Sequence, residues 1–73
     1  MGDLAGLTYR DVARKLRKLG FHFDRSAKGS HEIWRHIDGR RTTVPHHPGD
    51  LPEGTLRAVL KAGAIDKSDF LRA

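Results

Sequence analysis

Residues 30–44, SHEIWRHIDGRRTTV, decide the fold of this 73-residue chain. Asp38-Gly39 is a strong signal for a two-residue hairpin turn, because both positions of that turn need a positive φ. The runs on either side are rich in β-branched and aromatic residues, which favour strands. We therefore predict two antiparallel strands, one from Ser30 to about Ile37 and one from Arg40 to Val44.

A third strand is predicted upstream of this hairpin. Phe21 to Arg25 alternates apolar and polar residues with a period of two, which is typical of a half-buried strand that presents Phe21 and Phe23 to a helix. Ser26 to Gly29 then supplies a turn. Two tight connections in succession predict three strands in antiparallel order.

The segment before these strands predicts a helix. Thr8 is expected to cap its first free N–H groups, and Asp11, three residues on, suits the positive end of the helix dipole. Gly20 is placed to end the helix in a left-handed conformation. The apolar positions share one face: Val12, Leu16 and Leu19. The cations are expected on the remaining faces: Arg10, Arg14, Lys15, Arg17 and Lys18.

A second helix is predicted after the strands. Pro45 has no N–H for the ladder, so the third strand should end there, and a rigid loop follows to Asp50. Thr55 is a possible cap for a helix that Gly63 stops. The apolar face of that helix is formed by Leu56, Val59 and Leu60. Asp66 is expected to cap a last helical turn that returns an apolar side chain of residues 70–71 to the core.

These elements predict an α+β domain: a three-stranded antiparallel sheet with both helices on one face. Strand alternation divides the second strand, with His31, Ile33 and Arg35 on one side and Ser30, Glu32, Trp34 and His36 on the other. Both sides contain an apolar residue. The sequence therefore leaves open whether Ile33 or Trp34 enters the main core.

Length and composition restrict the class of protein. Residues 1–73 have room for a single domain. The 14 Lys and Arg against nine Asp and Glu give a formal charge of +5, which favours a polyanionic partner. The chain has no cysteine, and no signal peptide or membrane segment is apparent. We expect a cytoplasmic protein that does not interact with a membrane.

His31 is the candidate for proton transfer. Histidine has an ordinary pKa of about 6.5 and can therefore accept or donate a proton near neutrality, as RNA cleavage requires. Gly29 lacks a Cβ, so a phosphate or base can approach the backbone there. The cations that could stabilise charge on phosphorus are Lys28, Arg35, Arg40 and Arg41. The competing interpretation is that His31 is an ordinary packed or solvent-facing strand residue.

The five histidines do not predict a metal site. His46 and His47 are adjacent, and on extended backbone their side chains point in opposite directions, so a single ion cannot readily bind both. His47 lies in a loop between two prolines, where a hydrogen bond to the backbone is the simplest interpretation. We predict no metal and no cofactor.

Several blocks of the sequence resemble the HicA-type toxins, small ribosome-independent mRNA interferases of bacterial type II toxin–antitoxin modules. The blocks are Gly29-Ser30-His31, Ile33-Trp34, Thr43-Val44-Pro45 followed by His47-Pro48-Gly49, and Gly54-Thr55-Leu56 with Leu60-Lys61. The resemblance runs from about Thr8 to Leu71. The chain departs from the family pattern at Ala64, which intervenes between Gly63 and Ile65, and in the extra His46.

This resemblance implies a double-stranded-RNA-binding-domain-like fold of the order α-β-β-β-α. It also implies metal-independent cleavage of mRNA with His31 as the catalytic histidine, and a HicB-type antitoxin that covers His31. The residues expected to bind substrate are Lys28, Gly29, Ser30, Arg35, Arg40 and Arg41. Two alternatives remain: a non-catalytic RNA-binding module of the same fold, and a protein whose only relevant ligand is the antitoxin.

Overall fold

The computed structural model describes residues 3–73, so residues 1–2 of the predicted domain lie outside it. Six elements follow one another: α1 (Tyr9–Lys18), β1 (Phe21–Ser26), β2 (His31–His36), β3 (Arg41–Pro45), α2 (Glu53–Ala62) and α3 (Lys67–Arg72). The predicted α+β order is confirmed, and the expected last turn is a six-residue helix. No helix within residues 3–73 is long and apolar enough to cross a membrane.

The three strands form one antiparallel sheet in the order β1-β2-β3, as predicted. His31 pairs with Pro45, and Arg35 pairs with Arg41 across the β2–β3 ladder. The ladder continues slightly beyond Pro45, because the N–H of His46 donates to the carbonyl of Ser30 at 2.8 Å. A register shift between Phe23 and Arg25 marks a bulge in β1.

Reciprocal hydrogen bonds begin α1, as the sequence predicts. The backbone N–H of Asp11 donates to the Thr8 hydroxyl at 3.2 Å, and that of Thr8 donates to the Asp11 carboxylate at 3.0 Å. These bonds satisfy donors that have no partner inside the helix. The chain leaves the helix through Gly20, whose φ is +94°.

Trp34 enters the main core, which resolves the choice between Ile33 and Trp34. The Trp34 side chain is completely buried, whereas Ile33 on the opposite face is only partly covered. The helices, the strands and the segments that flank them all contribute to the core: Leu4, Val12, Ala13, Leu16, Phe21, Trp34, Val44, Leu51, Leu56, Val59, Leu60 and Phe70. The face of β2 that bears His31, Ile33 and Arg35 is therefore the one turned away from the helices.

Three local predictions need correction. Lys15 is not a solvent-facing cation: it is buried, its Nζ donates to the carbonyl of Leu71 at 3.3 Å, and it lies 5.7 Å from the centroid of the Phe70 ring. Phe23 faces the helix side, but it lies on an edge strand and remains 47% exposed. Thr55 is not a cap, since α2 begins at Glu53.

The predicted cap residues at the end of α2 and at the beginning of α3 are confirmed. Gly63 is the C-cap of α2. The Asp66 side chain accepts from the N–H of Asp69 at 3.0 Å and caps α3, which places Phe70 in the core. Together with Lys15, this packing fixes the C-terminal helix against α1.

Candidate functional site

His31 is exposed at the first position of β2, directly after a turn. Gly29 shapes that turn with a φ of +69°, and a Cβ at this position would meet no atom of the described chain within 4 Å. The Nδ1 atom of His31 lies 3.3 Å from the carbonyl oxygen of Lys28. The tautomer that donates this bond from Nδ1 leaves Nε2 as a proton acceptor.

A groove of about 420 Å³ lies where the end of the β2–β3 ladder meets α2. Two histidines and a set of small, hydroxyl-bearing or apolar side chains form its walls: His31, Thr43, Pro45, His47, Pro52, Thr55, Ala58, Val59 and Ala62. The alanines leave the space open, because any larger side chain at their positions would extend into it. His31 is therefore neither buried against the helices nor isolated on a flat surface.

Three arginines lie on the open face of the sheet, and we call this surface the arginine face: Arg25, Arg35 and Arg41. Arg35 and Arg41 are directly opposite each other, and Arg25 pairs with Ile33 on the same face. Asp24, at the bulge, partly neutralises this charge, because its carboxylate contacts Arg25 and lies 3.7 Å from Nε of Arg35. Arg35 and Arg41 lie about 13 Å from His31, four residues along β2, whereas Arg25 lies opposite Ile33, only two residues from His31.

The other predicted substrate contacts are distributed unevenly. Lys28, Gly29 and Ser30 form the exposed turn that leads into His31. Arg40 is not brought to His31: it lies opposite His36, five residues and roughly 16 Å along the strand. Its guanidinium donates to the carbonyls of residues 63 and 64 at 3.1 and 3.0 Å and so ties the hairpin to the end of α2. Its role as a substrate contact stays a prediction.

A carboxylate that sequence reasoning missed lies beside His31, on the other face of the strand. The Oε1 atom of Glu32 accepts from the Tyr9 hydroxyl at 2.6 Å and from Nε1 of Trp34 at 3.1 Å. Its Oε2 atom lies 3.1 Å from Nδ1 of His46. The alternation that set Trp34 beside Glu32 was visible in the sequence, but the tyrosine comes from a distant helix.

This network changes the acidity of its members. Burial alone would raise the pKa of Glu32, but the hydrogen bonds from Tyr9, Trp34 and His46 outweigh it and leave the pKa below its ordinary value. Burial, followed by the hydrogen bond to the Glu32 carboxylate, raises the pKa of Tyr9 to about 12. Glu32 is thus held as an anion, which is suited to fixing its neighbours and unsuited to donating a proton.

His46 and His47 diverge, as their adjacency predicts. The His46 ring stacks on Tyr9 with 3.8 Å between centroids and an angle of 12° between planes. The His47 ring lies in the wall of the groove beside His31, and its Nδ1 is 3.0 Å from the carbonyl oxygen of Pro48. The predicted backbone hydrogen bond of His47 is therefore present. Within residues 3–73, no three histidine or carboxylate side chains are grouped to hold a metal ion.

The fold and the site define a class of protein: a small basic α+β domain with an exposed histidine in a groove and an arginine-bearing sheet face. A family model described as the HicA toxin of bacterial toxin–antitoxin systems matches residues 9–64, more than half of the chain. The chain belongs to the HicA toxin family, and the resemblance seen in the sequence is confirmed. Membership implies an antitoxin as partner. Comparison with curated proteins found no match.

Proposed function

We propose that this toxin is a ribosome-independent mRNA interferase, a metal-independent endoribonuclease with His31 at its catalytic centre. The observation that carries the proposal is the exposed His31 in a groove beside a cationic sheet face. Its ring is oriented by a backbone carbonyl, which leaves Nε2 available for proton transfer. An mRNA substrate places the proposed activity in the bacterial cytoplasm.

The reaction is transesterification at phosphorus. The ribose 2′-oxygen attacks the phosphorus atom and loses its proton to a base, while the 5′-oxygen leaves and receives a proton from an acid. The products are a 2′,3′-cyclic phosphate and a 5′-hydroxyl. His31 has the chemistry for one of these proton transfers. Lys28, in the turn before it, is the nearest of the predicted cations along the chain and can stabilise the charge that develops on the phosphate.

The arginine face would hold the flanking nucleotides. Arg35 and Arg41 are about 13 Å along the strand from His31, so they are better placed for neighbouring phosphates than for the one that is cleaved. Gly29 and Ser30 leave the approach to His31 free of large side chains. Substrate would therefore extend across the open sheet, with the reacting bond at its groove end.

Replacement of His31 tests the catalytic assignment. The His31→Gln variant should lose cleavage of a labelled mRNA by about 10²- to 10⁴-fold while it still binds RNA, because one proton transfer is removed. The matched comparison is His22→Gln, which changes an exposed histidine opposite Arg35 on the arginine face and should affect binding of RNA but not the cleavage step. Assays contain EDTA and a DNA of the same sequence, which should stay intact. Undiminished cleavage by His31→Gln removes His31 from the mechanism.

The salt dependence of binding tests the arginine face. The logarithm of the affinity for single-stranded RNA should fall with the logarithm of salt by about 0.7 per phosphate contacted. Arg41→Gln should weaken binding and reduce that slope by about 0.7. Arg72→Gln makes the same charge change on α3, where Arg72 already pairs with Asp69 at 2.7 Å, and should leave the slope unchanged. An equal change in both variants would show a general charge effect in place of a phosphate contact.

The alternative function is a non-catalytic RNA-binding module with the same surface. It is favoured if the wild-type protein, in excess over RNA and in the presence of chelator, shifts the RNA in a gel and leaves it uncut. We further propose that the antitoxin is a HicB-type protein that covers His31. Addition of that antitoxin in equimolar amount should then abolish cleavage by the wild-type toxin, and it should protect His31 from modification by diethyl pyrocarbonate.

A further inference from the structure

The proposed reaction needs two proton transfers, and His31 supplies one group. One histidine cannot be both the base and the acid in a single concerted step. The groove beside His31 contains a second histidine, His47, for which the sequence predicts only a loop position. We infer that His47 is the second catalytic residue and forms a proton-transfer pair with His31; this inference rests on the proposed function.

The register of the sheet brings the two histidines together. His31 pairs with Pro45, and the bond from the His46 N–H to the Ser30 carbonyl extends the ladder by one more residue. His47 is two residues beyond Pro45, and a residue at that position of an antiparallel ladder is the diagonal neighbour of His31, with a Cα separation of roughly 7–8 Å. Alternation sends His46 to the opposite face, where it contacts Glu32 and Tyr9. His31 and His47 line the same groove.

The two rings are held in the same way. Nδ1 of His31 is 3.3 Å from the Lys28 carbonyl, and Nδ1 of His47 is 3.0 Å from the Pro48 carbonyl. Each carbonyl accepts from an Nδ1–H group, so the neutral ring presents a basic Nε2 and the protonated ring presents an Nε2–H donor. Backbone oxygens hold each ring in both protonation states, as a residue that alternates between base and acid requires.

The balanced step uses one ring of each kind. The neutral histidine takes the proton of the 2′-hydroxyl as the 2′-oxygen bonds to phosphorus. The protonated histidine gives its Nε2 proton to the 5′-oxygen as the bond between phosphorus and that oxygen breaks. The pair keeps its total number of protons, with the charge transferred from one ring to the other, and exchange with water restores the starting state.

A sulphur leaving group identifies the acid. The bond cut by the wild-type protein is first mapped on a transcript, and a short RNA is then synthesised with a bridging 5′-sulphur at that bond. Sulphur leaves as a thiolate and needs no proton. His47→Gln should lower kcat on ordinary RNA by about 10²- to 10⁴-fold with little change in KM. On the sulphur substrate, one of the variants His31→Gln and His47→Gln, and only one, should regain the wild-type rate.

The adjacent histidine is the matched control. His46→Gln changes the same side chain one position earlier, on the opposite face, and should retain kcat within about threefold because its ring is outside the groove. Circular dichroism and Trp34 fluorescence establish that each variant is folded. The inference is overturned if His47→Gln cleaves ordinary RNA at the wild-type rate, if it changes KM alone, or if the sulphur substrate restores both variants or neither. A wild-type protein that cuts no RNA refutes the proposed function itself.

Discussion

Removal of the Glu32 side chain should destabilise the domain more than its position on a partly open strand indicates. The side chain is only 13% exposed, and its Oε1 atom accepts from both Tyr9 and the buried Trp34. A hydrogen bond to a charged acceptor contributes about 1.5–3 kcal/mol, and an orphaned buried donor costs about 1–3 kcal/mol. Removing a largely buried carboxylate also recovers part of its desolvation cost. We expect Glu32→Ala to lower the unfolding free energy by about 2–4 kcal/mol.

A loss of this size is large for such a small domain. At about 0.05–0.15 kcal/mol per residue, the whole chain has a stability of roughly 4–11 kcal/mol. Glu32→Gln is the matched variant, because its amide oxygen can still accept from Tyr9 and Trp34 while its NH₂ group replaces the oxygen that faces His46. We expect this variant to lose only about 1 kcal/mol.

The pH dependence separates charge from hydrogen bonding. Because folding lowers the pKa of Glu32, its stabilising contribution is complete above the ordinary glutamate pKa of about 4.3 and is lost as the pH falls through the lower folded value. Other carboxylates also lose stability in acid, so the difference between wild type and Glu32→Gln is the informative quantity. The difference in unfolding free energy between wild type and Glu32→Gln should become smaller between pH 6 and pH 3.

Urea denaturation followed by fluorescence measures both effects, since Trp34 is the only tryptophan and is fully buried. The comparison is made at pH 6 and pH 3 for wild type, Glu32→Gln and Glu32→Ala. The slope of unfolding free energy against urea concentration must be the same in each fit. An unfolding free energy for Glu32→Ala within about 0.5 kcal/mol of wild type at pH 6 would refute the argument that this carboxylate satisfies the buried donors.

Three further experiments test the local structure. Absorbance titration of Tyr9, the only tyrosine, should give a pKa near 12 in the wild type and a lower value in Glu32→Gln; an unchanged value would contradict the hydrogen bond. Gly39→Ala should lower the unfolding free energy by about 1–2 kcal/mol, because Gly39 has a positive φ. Gly20→Ala should lower it by about 1–3 kcal/mol more, because the new Cβ would also lie 2.6 Å from Nε2 of His36. Equal losses in urea denaturation would exclude that clash. Thr8→Ala should lower Tm by about 4–8 °C through loss of roughly 1 kcal/mol of capping, and an unchanged Tm would show that the cap contributes nothing.

Lys15 shows how tertiary context overrides a local pattern. By helical position it borders the apolar stripe, three residues after Val12 and four before Leu19, but a cation at such a border normally extends to solvent. The packing of α3 onto α1 covers it, and its ammonium group finds the Leu71 carbonyl and the Phe70 ring. That burial depends on a contact 56 residues away in the chain, which no local pattern contains.

The sequence by itself determined the order of the elements, the presence of a hairpin between β2 and β3, the cap at Thr8 and the two faces of β2, because each depends on a few neighbouring residues and on a backbone period. The predicted two-residue turn at Asp38-Gly39 is wrong: His36 pairs with Arg40 across a three-residue turn in which Gly39 alone has a positive φ. The sequence also marked His31 through its position after Gly29. Only the tertiary structure decided that Trp34 and not Ile33 enters the core, since both faces of the strand offered an apolar residue and the helices select one.

The tertiary structure also decided which charged and titratable groups share a site. Cross-strand pairing placed Arg41 beside Arg35 and left Arg40 at the far end of the sheet, and the loop after β3 placed His47 in the groove that His31 also lines. The fold brought Tyr9 of α1 to Glu32. Such groupings depend on the register between strands and on the docking of helices, and these are set by packing across the whole chain rather than by the spacing of residues along it.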